Sequence, residues 1–438
     1  MEFETKIKRI RHGVYKEIIL AYYANRTDDL YMTIPKTIIP GPKALLRCCI
    51  FKERAIVQER IRLALEGVTP EQNSIQVIDI ACDECPVDGI TVLDACRGCL
   101  SHECKHACPK NAISIVDRRS VVDHDKCIEC GKCVSACPYN AIILQRRPCV
   151  VACKADAISI DQATKGSHID DTKCVECGAC LQRCPFGAIS NASMLVDVIK
   201  LLKNKECKVV AIYAPALDGQ FNVPIGKVVA GIKQIGFDDV REVAYGADIT
   251  LKHEVAEWNE KQLLMSSCCP AFVKYVKINF PELAQYVSDS DSPMVSIAKL
   301  IKEEDPETKV VFISPCTAKV REVIESPYVD AMLSFEELSS YFDAFDIDLN
   351  ELQEDACTEA TSYGKGFARC GNLASYIEEL AEGDVHAISM NGLDDVRKEL
   401  LKLKFHKSSQ NFFEGMACGG GCVNGALVLW HRYNTGKK

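Results

Sequence analysis

Cysteines account for most of the chemistry that this sequence could perform. The chain of 438 residues contains 26 cysteines, and sixteen of them lie between positions 82 and 184. Two runs with the spacing C-x2-C-x2-C-x3-C-P begin at Cys127 and Cys174. This is the spacing of bacterial 4Fe–4S runs, in which the fourth cysteine ligates the other cluster of a pair. Zinc sites instead separate two CxxC pairs widely, so the spacing favours iron–sulfur clusters.

Further half-motifs complete this region. A looser run of the same order begins at Cys96, and a truncated one consists of Cys149 and Cys153. If fourth cysteines are exchanged between runs, twelve of the sixteen thiols form three ligand sets: Cys96, Cys99, Cys104 and Cys137; Cys108, Cys127, Cys130 and Cys133; Cys153, Cys174, Cys177 and Cys180. One set is left over: Cys82, Cys85, Cys149 and Cys184. We predict a fourth 4Fe–4S cluster there; the alternative is three clusters, with these four thiols free or binding zinc.

Three more cysteine segments lie in the second half of the chain. They read MSSCCP at 265–270, SPCTAK at 314–319 and EGMACGGGC at 414–422. In this order, downstream of ferredoxin-type runs, they resemble the signature segments of FeFe hydrogenases, closest to the divergent group B. The resemblance covers about residues 193–438 and includes YGAD at 245–248 and DAML at 330–333. It implies an enzyme that interconverts protons, electrons and dihydrogen.

The resemblance also implies a cofactor, the H-cluster. In this family a 4Fe–4S cubane is bridged through one thiolate to a two-iron unit that carries CO, cyanide and an azadithiolate. Carried over, the ligands are Cys269, Cys316, Cys418 and Cys422. Cys422 would be the bridge, and Pro215 and Met416 take cofactor-binding positions. The glycines at 419–421 would permit unusual backbone angles and close approach to a bulky cluster.

Other residues match family positions without being ligands. Lys319 matches the lysine that hydrogen-bonds a cyanide, and Cys268 matches the thiol that passes protons beside the two-iron site. The implied proton relay runs from Cys268 through Glu257, Ser288 and Glu254 to solvent. Glu254 and Glu257 are three residues apart on a predicted helix and so share one face. Without the resemblance, a solvated helix face would be the ordinary interpretation of these two glutamates.

The sequence departs from the family pattern at a few positions. Ser314 stands where many members have Met, and Ala271-Phe272 stands where Gly-Trp is common. Lys261 occupies a position near the exit of the relay where an arginine is expected. We expect these differences to affect the catalytic bias, the rate and the sensitivity to oxygen, and to leave the predicted ligand set intact.

Three regions must position these residues. Residues 1–78 are predicted to be a mostly helical accessory region, 79–192 to be tandem ferredoxin-like cluster domains, and 193–438 to be a two-lobed α/β catalytic domain. Strands are predicted at 208–213, 310–314, 387–390 and 412–416, alternating with helices. Their carboxyl ends carry the cysteines, at the edge where open α/β sheets bind ligands. The predicted fold class is therefore α+β and α/β multidomain.

Composition and charge limit where the protein can be located and which kinds of partner it can have. The net charge of −9 argues against nonspecific nucleic-acid binding. No apolar run approaches the roughly 20 residues of a membrane span. The charged N-terminus lacks the apolar core of a signal peptide. Because closely spaced cysteines of this kind need a reducing compartment, we expect a cytoplasmic protein.

The resemblance implies ferredoxin or a similar electron carrier as partner, and the hydrogenase maturation proteins. Two basic pairs, Arg118-Arg119 and Arg146-Arg147, are predicted to lie on the surface, where they could meet an acidic redox partner. Two other functions stay open: a hydrogen sensor that uses the same site, and a non-catalytic iron–sulfur assembly protein.

Overall fold

The N-terminal region is helical. The computed structural model describes residues 3–47, 49–85, 89–161, 163–204, 206–355 and 360–431. Three helices come first: α1 (Lys6–Tyr23), α2 (Leu30–Ile38) and α3 (Ile50–Leu65). Val14, Ile18 and Ile61 are buried in one shared core, as apolar residues at helical spacing predict.

The cysteine-dense region is built from short antiparallel strand pairs. Its strands are β1 (Ile75–Val77), β2 (Gly89–Val92), β3 (Ile113–Val116), β4 (Arg119–Val122), β5 (Ile142–Gln145), β6 (Ile158–Ile160), β7 (Ser167–Ile169) and β8 (Ile189–Asn191). β2 pairs with β5, β3 with β4, and β6 with β7. β1 pairs with β8, so this strand of the predicted accessory region packs with the cluster region.

Four short helices repeat at the same point of each half-motif. They are α4 (Glu103–His106), α5 (Lys132–Ala136), α6 (Pro148–Ala152) and α7 (Ala179–Arg183). Each contains one third-position cysteine, and all four of these thiols are buried: Cys104, Cys133, Cys149 and Cys180. The predicted repeat of four half-motifs is therefore present as a repeat of structure.

The second half of the chain contains two parallel sheets. One has the order β10-β9-β12-β13 and the other β11-β15-β14. The strands are β9 (Val209–Tyr213), β10 (Asp239–Glu242), β11 (Leu264–Met265), β12 (Lys309–Ile313), β13 (Ala331–Leu333), β14 (Ala387–Asn391) and β15 (Phe412–Met416). The predicted two-lobed α/β architecture is confirmed, and its four predicted strands correspond to β9, β12, β14 and β15.

Helices surround both sheets. They are α8 (Leu195–Lys203), α9 (Ile225–Ile235), α10 (Val243–Lys261), α11 (Pro270–Asn279), α12 (Pro293–Glu304), α13 (Ala318–Glu325), α14 (Phe335–Ala344), α15 (Ser362–Gly366), α16 (Asn372–Leu380) and α17 (Leu393–Lys404). Parallel strands buried on both faces should be almost continuously apolar. All five residues of β9 are buried, as are all five of β15.

The N-terminal helix contacts the last part of the described chain. α1 packs along α14, and the buried Arg11 donates to Glu336 at 2.5 Å. The Lys8 ammonium donates to the carbonyls of Val428 and Leu429 at 2.8 and 2.9 Å. Helix α1 therefore covers part of the C-terminal lobe. Across the described residues, every helix is too short or too polar to cross a bilayer.

Candidate functional site

Three segments that are distant in sequence meet at the carboxyl ends of parallel strands. β11 and β15 are neighbours in one sheet, which brings the first cysteine segment beside the third. The Ser266 hydroxyl accepts the backbone N–H of Gly415 at 3.1 Å. The backbone N–H of Leu427, five residues after the third segment, donates to the Pro315 carbonyl of the second segment at 2.9 Å.

The predicted H-cluster ligands face one another at this junction. Cys269 precedes α11, Cys316 lies between β12 and α13, and Cys418 and Cys422 follow β15. Burial first, and then the neighbouring thiol of Cys269, raises the pKa of Cys316 to about 11. Burial and the same set of thiols raise the pKa of Cys418 and Cys422 well above the ordinary range. Iron cations would stabilise these neighbouring thiolates, so the donor set fits the predicted cluster.

Glycines let the chain turn tightly between the last two ligands. Gly420 and Gly421 have φ of 84° and 91°, angles that other residues rarely adopt. A Cβ atom on Gly421 would lie 2.5 Å from the Ala368 carbonyl oxygen. The expected need for glycine is confirmed at these two positions, whereas a Cβ atom on Gly419 would meet no described atom within 4 Å.

The last ferredoxin-type run packs directly on the residues that follow the third signature segment. A Cβ atom on Gly178 would lie 2.3 Å from the Ala426 side chain, so the two backbones are in close contact. Burial and neighbouring thiols, Cys269 among them, raise the pKa of Cys177 to about 12. One accessory ligand set therefore adjoins the predicted catalytic set.

Lys319 and Ser314 lie at the second segment. The Lys319 ammonium is largely buried and donates to Glu322 at 2.6 Å. Its positive charge partly offsets the rise in the pKa of Cys422, which burial causes. The Ser314 hydroxyl accepts the N–H of Cys316 at 3.3 Å. Serine at this position thus orients the ligand loop, a contact that methionine cannot provide.

The remaining predicted cofactor contacts border the same junction. Pro215 follows β9 and begins a short 3-10 helix. Met416 ends β15 and is buried. The fully buried Phe272 lies under Gly415, where a Cβ atom would be 2.4 Å from the ring. Phenylalanine at 272 therefore packs beneath the third segment.

The two predicted relay glutamates occupy very different environments. Glu254 is fully buried and accepts the N–H of Ser267 at 3.2 Å. Burial raises its pKa to about 8. The pKa of Cys268 is raised mainly by burial, and among the neighbouring groups the Glu254 carboxylate raises it most. The structure therefore puts Glu254 on the side of Cys268, the reverse of the predicted order, because the turn of α10 that carries Glu254 packs inward against Ser267.

Glu257 lies on the outer side. Its carboxylate accepts the Ser288 hydroxyl at 2.5 Å and the Lys261 ammonium at 2.6 Å. Burial raises the pKa of Glu257, but these two contacts and the N–H of Asp289 outweigh it and lower the pKa below the ordinary value. Lys261, at the position where an arginine was expected, is thus a partner of the outer glutamate.

Two polar residues of the site were missed by the sequence reasoning. The fully buried Glu414 accepts the backbone N–H of Gly371 and of Ala374, at the start of α16, at 3.0 and 2.9 Å. The buried Tyr363 hydroxyl has no hydrogen-bond partner among the described residues, and Glu254 is one of its charged neighbours. In the sequence, Glu414 could have been noticed as the one acidic residue inside the apolar strand 412–416.

Members of each predicted accessory set lie near one another. Cys96, Cys99, Cys104 and Cys137 line one small cavity. After burial, the nearby Cys127 and Cys108 contribute to the raised pKa of Cys133, and Cys153, Cys174 and Cys177 contribute to that of Cys180. In each half-motif the repeated Ala-Ile pair has a local role, since the alanine N–H donates to the fourth-position thiol at 3.2 to 3.4 Å: Ala112 to Cys108, Ala141 to Cys137, Ala157 to Cys153 and Ala188 to Cys184.

The four leftover cysteines also meet. Cys82, Cys149 and Cys184 are the thiol neighbours of Cys85, and the Ser167 hydroxyl lies 3.4 Å from Cys82 and 3.5 Å from Cys149. Among the described residues, no three cysteine, histidine or acidic side chains are placed to hold a single metal ion. Cubane ligands need not be so close together, because each thiolate binds a different iron.

The prediction that Arg146 and Arg147 both lie on the surface is wrong for Arg147. Arg146 is exposed, but Arg147 is 1% exposed. The Arg147 guanidinium donates to the Cys82 thiol, with 3.7 Å between Nη1 and Sγ. Arg147 is the residue immediately before α6, and this position directs its side chain toward the leftover cysteine set.

A model of the iron-only hydrogenase large subunit, C-terminal domain, matches residues 207–426, which is half of the chain. This chain belongs to the FeFe hydrogenase family. Upstream, a 4Fe–4S binding domain matches residues 120–143 and a 4Fe–4S dicluster domain matches residues 147–188. The predicted cofactor classes, an H-cluster and accessory 4Fe–4S clusters, are confirmed by these matches.

The hydrogenase relatives are distant. Iron hydrogenase 1 of Clostridium pasteurianum is 27% identical over 385 residues, covering 72% of this chain and 66% of that protein. The NADP-reducing hydrogenase subunit HndD of Solidesulfovibrio fructosivorans is 26% identical over 305 residues, covering 54% and 52%. The periplasmic Fe hydrogenase large subunit of Nitratidesulfovibrio vulgaris is 27% identical over 302 residues, covering 53% and 71%. The chain thus spans between half and two thirds of the length of the first two relatives.

Proposed function

We propose that this protein is a hydrogenase that catalyses 2H⁺ + 2e⁻ ⇌ H₂. The observation that carries the proposal is the meeting of Cys269, Cys316, Cys418 and Cys422, from three separate segments, at the carboxyl ends of parallel strands. When bound there, the H-cluster supplies the bond chemistry on hydrogen. The protein supplies the ligands, a shielded pocket, and the paths for protons and electrons.

The chain's own residues bind the cofactor and move protons. Lys319, whose ammonium is largely buried, would hold a cofactor anion by a charge-assisted hydrogen bond. Cys268 exchanges protons with the reaction site. Glu254 passes them outward to Glu257 and Ser288. A carboxyl whose pKa is about 8 suits this task, because it both gains and loses a proton near neutral pH.

The accessory clusters carry electrons to the catalytic site. The set of Cys153, Cys174, Cys177 and Cys180 adjoins the H-cluster ligands. Electrons would enter at the first module, where Cys130 is exposed and Leu100 and Ile128 are 95% and 57% exposed. We propose ferredoxin as the donor and the hydrogenase maturation proteins as assembly partners, with residues 1–78 as an accessory region, 79–192 as the cluster domains and 193–438 as the catalytic domain.

Infrared spectroscopy and gas assays test the proposal. After maturation, the purified chain should show CO and cyanide bands, and it should evolve hydrogen with reduced ferredoxin and take it up with oxidised ferredoxin. Bands without appreciable turnover would favour a sensor. Loss of both bands and turnover in a fully matured sample would favour the assembly protein. NADPH as sole donor is a useful comparison, since one relative is named as an NADP-reducing subunit.

A further inference from the structure

The two cluster modules repeat one another closely around two of their ligand sets. Ser120, on β4, lies 3.3 Å from the third-position thiol Cys104. Ser167, on β7, lies 3.5 Å from the third-position thiol Cys149. Both serines are buried. The leftover set in the second module is therefore the structural repeat of the Cys96 set in the first.

The repeat breaks two residues before the third-position cysteine. The first module has the partly exposed His102 there, and the second has the buried Arg147, which donates to Cys82. The Ser167 N–H also donates to the Cys82 thiol at 3.4 Å. The Cys82 sulfur therefore receives hydrogen bonds from a guanidinium as well as from the serine.

A second buried guanidinium reaches the same ligand set from the accessory helices. Arg60, on α3, donates to the Gly187 carbonyl at 2.6 Å through Nη2, three residues after the ligand Cys184. Its Nη1 is buried and has no hydrogen-bond partner among the described residues. Burial lowers the pKa of Arg60, and the nearby Cys184, when ionised, opposes this shift. Ile56 and Leu63 of the same helix pack around Cys82 and Cys184.

We propose that Arg147 and Arg60 are positioning residues that raise the reduction potential of the fourth cluster above that of its repeat in the first module. The inference rests on the proposed fourth cluster. Reduction adds one electron to the cluster, with no bond made or broken, and so makes the cluster and its thiolates more negative. Buried cations and N–H donors at the sulfurs stabilise that added charge. The fourth cluster would then be reduced before its repeat in the first module and would hold an electron beside the cluster that adjoins the catalytic site.

An EPR-monitored redox titration of the fully reconstituted full chain tests this inference. The signal of the fourth cluster is the one lost in Cys82→Ala/Cys85→Ala. In Arg147→Gln this signal should titrate at a lower potential, while the iron content and the other signals stay unchanged. Arg146→Gln, which removes the exposed neighbour, is the matched control and should leave every midpoint in place.

Two kinds of result would overturn the inference, and they can be told apart. An unchanged midpoint in Arg147→Gln with full iron content removes the role of the arginine. If Arg147→Gln loses iron, Arg60→Gln is titrated instead, and an unchanged midpoint there has the same meaning. If Cys82→Ala/Cys85→Ala loses neither iron nor an EPR signal, the fourth cluster itself is absent, which is a failure of the proposed cofactor set.

Discussion

Glu254 and Glu257 lie one turn apart on α10, yet their carboxyls have pKa values shifted in opposite directions. Burial raises the pKa of Glu254 to about 8. Lys261, Ser288 and the N–H of Asp289 lower that of Glu257 in spite of burial. At neutral pH the inner carboxyl is thus mostly protonated and the outer one is ionised. Titratable groups with pKa values pushed apart are the arrangement expected of an acid and a base in series.

The first prediction concerns the protonation of Glu254. Because its pKa in the folded protein is raised from 4.5 to about 8, the folded state holds this proton more tightly than the unfolded state. Stability should therefore fall as the pH rises from about 4.5 through about 8. The infrared carbonyl band of a protonated carboxylic acid should disappear over the upper part of this range. Glu254→Gln should lack that band and its pH dependence at every pH.

The second prediction concerns Cys268. This thiol is adjacent to a predicted ligand but is not itself in the ligand set. Cys268→Ala should keep the CO and cyanide bands and lose most turnover, by a factor of about 100 or more, because the proton step is interrupted while the cofactor remains. Glu257→Gln should act similarly, since an amide cannot relay a proton by ionising. Near-normal turnover in Cys268→Ala would remove this thiol from the relay.

The third prediction concerns Cys422. Cys422→Ser should keep the accessory clusters but fail to hold the two-iron unit, because thiolate is a far better bridging ligand for iron than a serine hydroxyl. Infrared spectra should then lack CO and cyanide bands, while the EPR signals of the accessory clusters persist. Intact bands with activity would mean that another residue forms the bridge.

The fourth prediction is a count of iron. Four accessory clusters and a six-iron H-cluster require about 22 irons per chain, and three accessory clusters require about 18. Cys82→Ala/Cys85→Ala should lower the measured iron by about four atoms. Iron and sulfide analysis of the reconstituted protein decides between the two totals. Equal iron in the variant and the parent would favour the three-cluster alternative.

The fifth prediction concerns the contact between α1 and the C-terminal segment. Lys8→Met leaves the Val428 and Leu429 carbonyls without their buried donor, which should cost about 1–3 kcal/mol of unfolding free energy. Hydrogen exchange around residues 426–430 should accelerate. Lys6→Ala, an exposed position on the same helix, is the control and should change neither quantity.

The sequence was most informative where chemistry requires fixed spacing. The cysteine sets and the strand ends that carry Cys316 and Cys422 followed from motif and periodicity. The sequence could not show which residue on one face of a helix is buried. Glu254 and Glu257 share one face of α10, and only packing decides which carboxyl is buried. Arg147 was missed for a related reason, since an arginine pair in sequence does not reveal that one side chain turns toward Cys82.

The contact of Lys8 with Leu429 has a consequence for the order of events during synthesis. These residues are 421 positions apart in sequence, and Arg11 and Glu336 are 325 apart. Since a chain leaves the ribosome N-terminus first, α1 is made long before either partner exists. The contact of α1 with Val428 and Leu429, a few residues after the predicted ligand Cys422, is therefore among the last contacts to form.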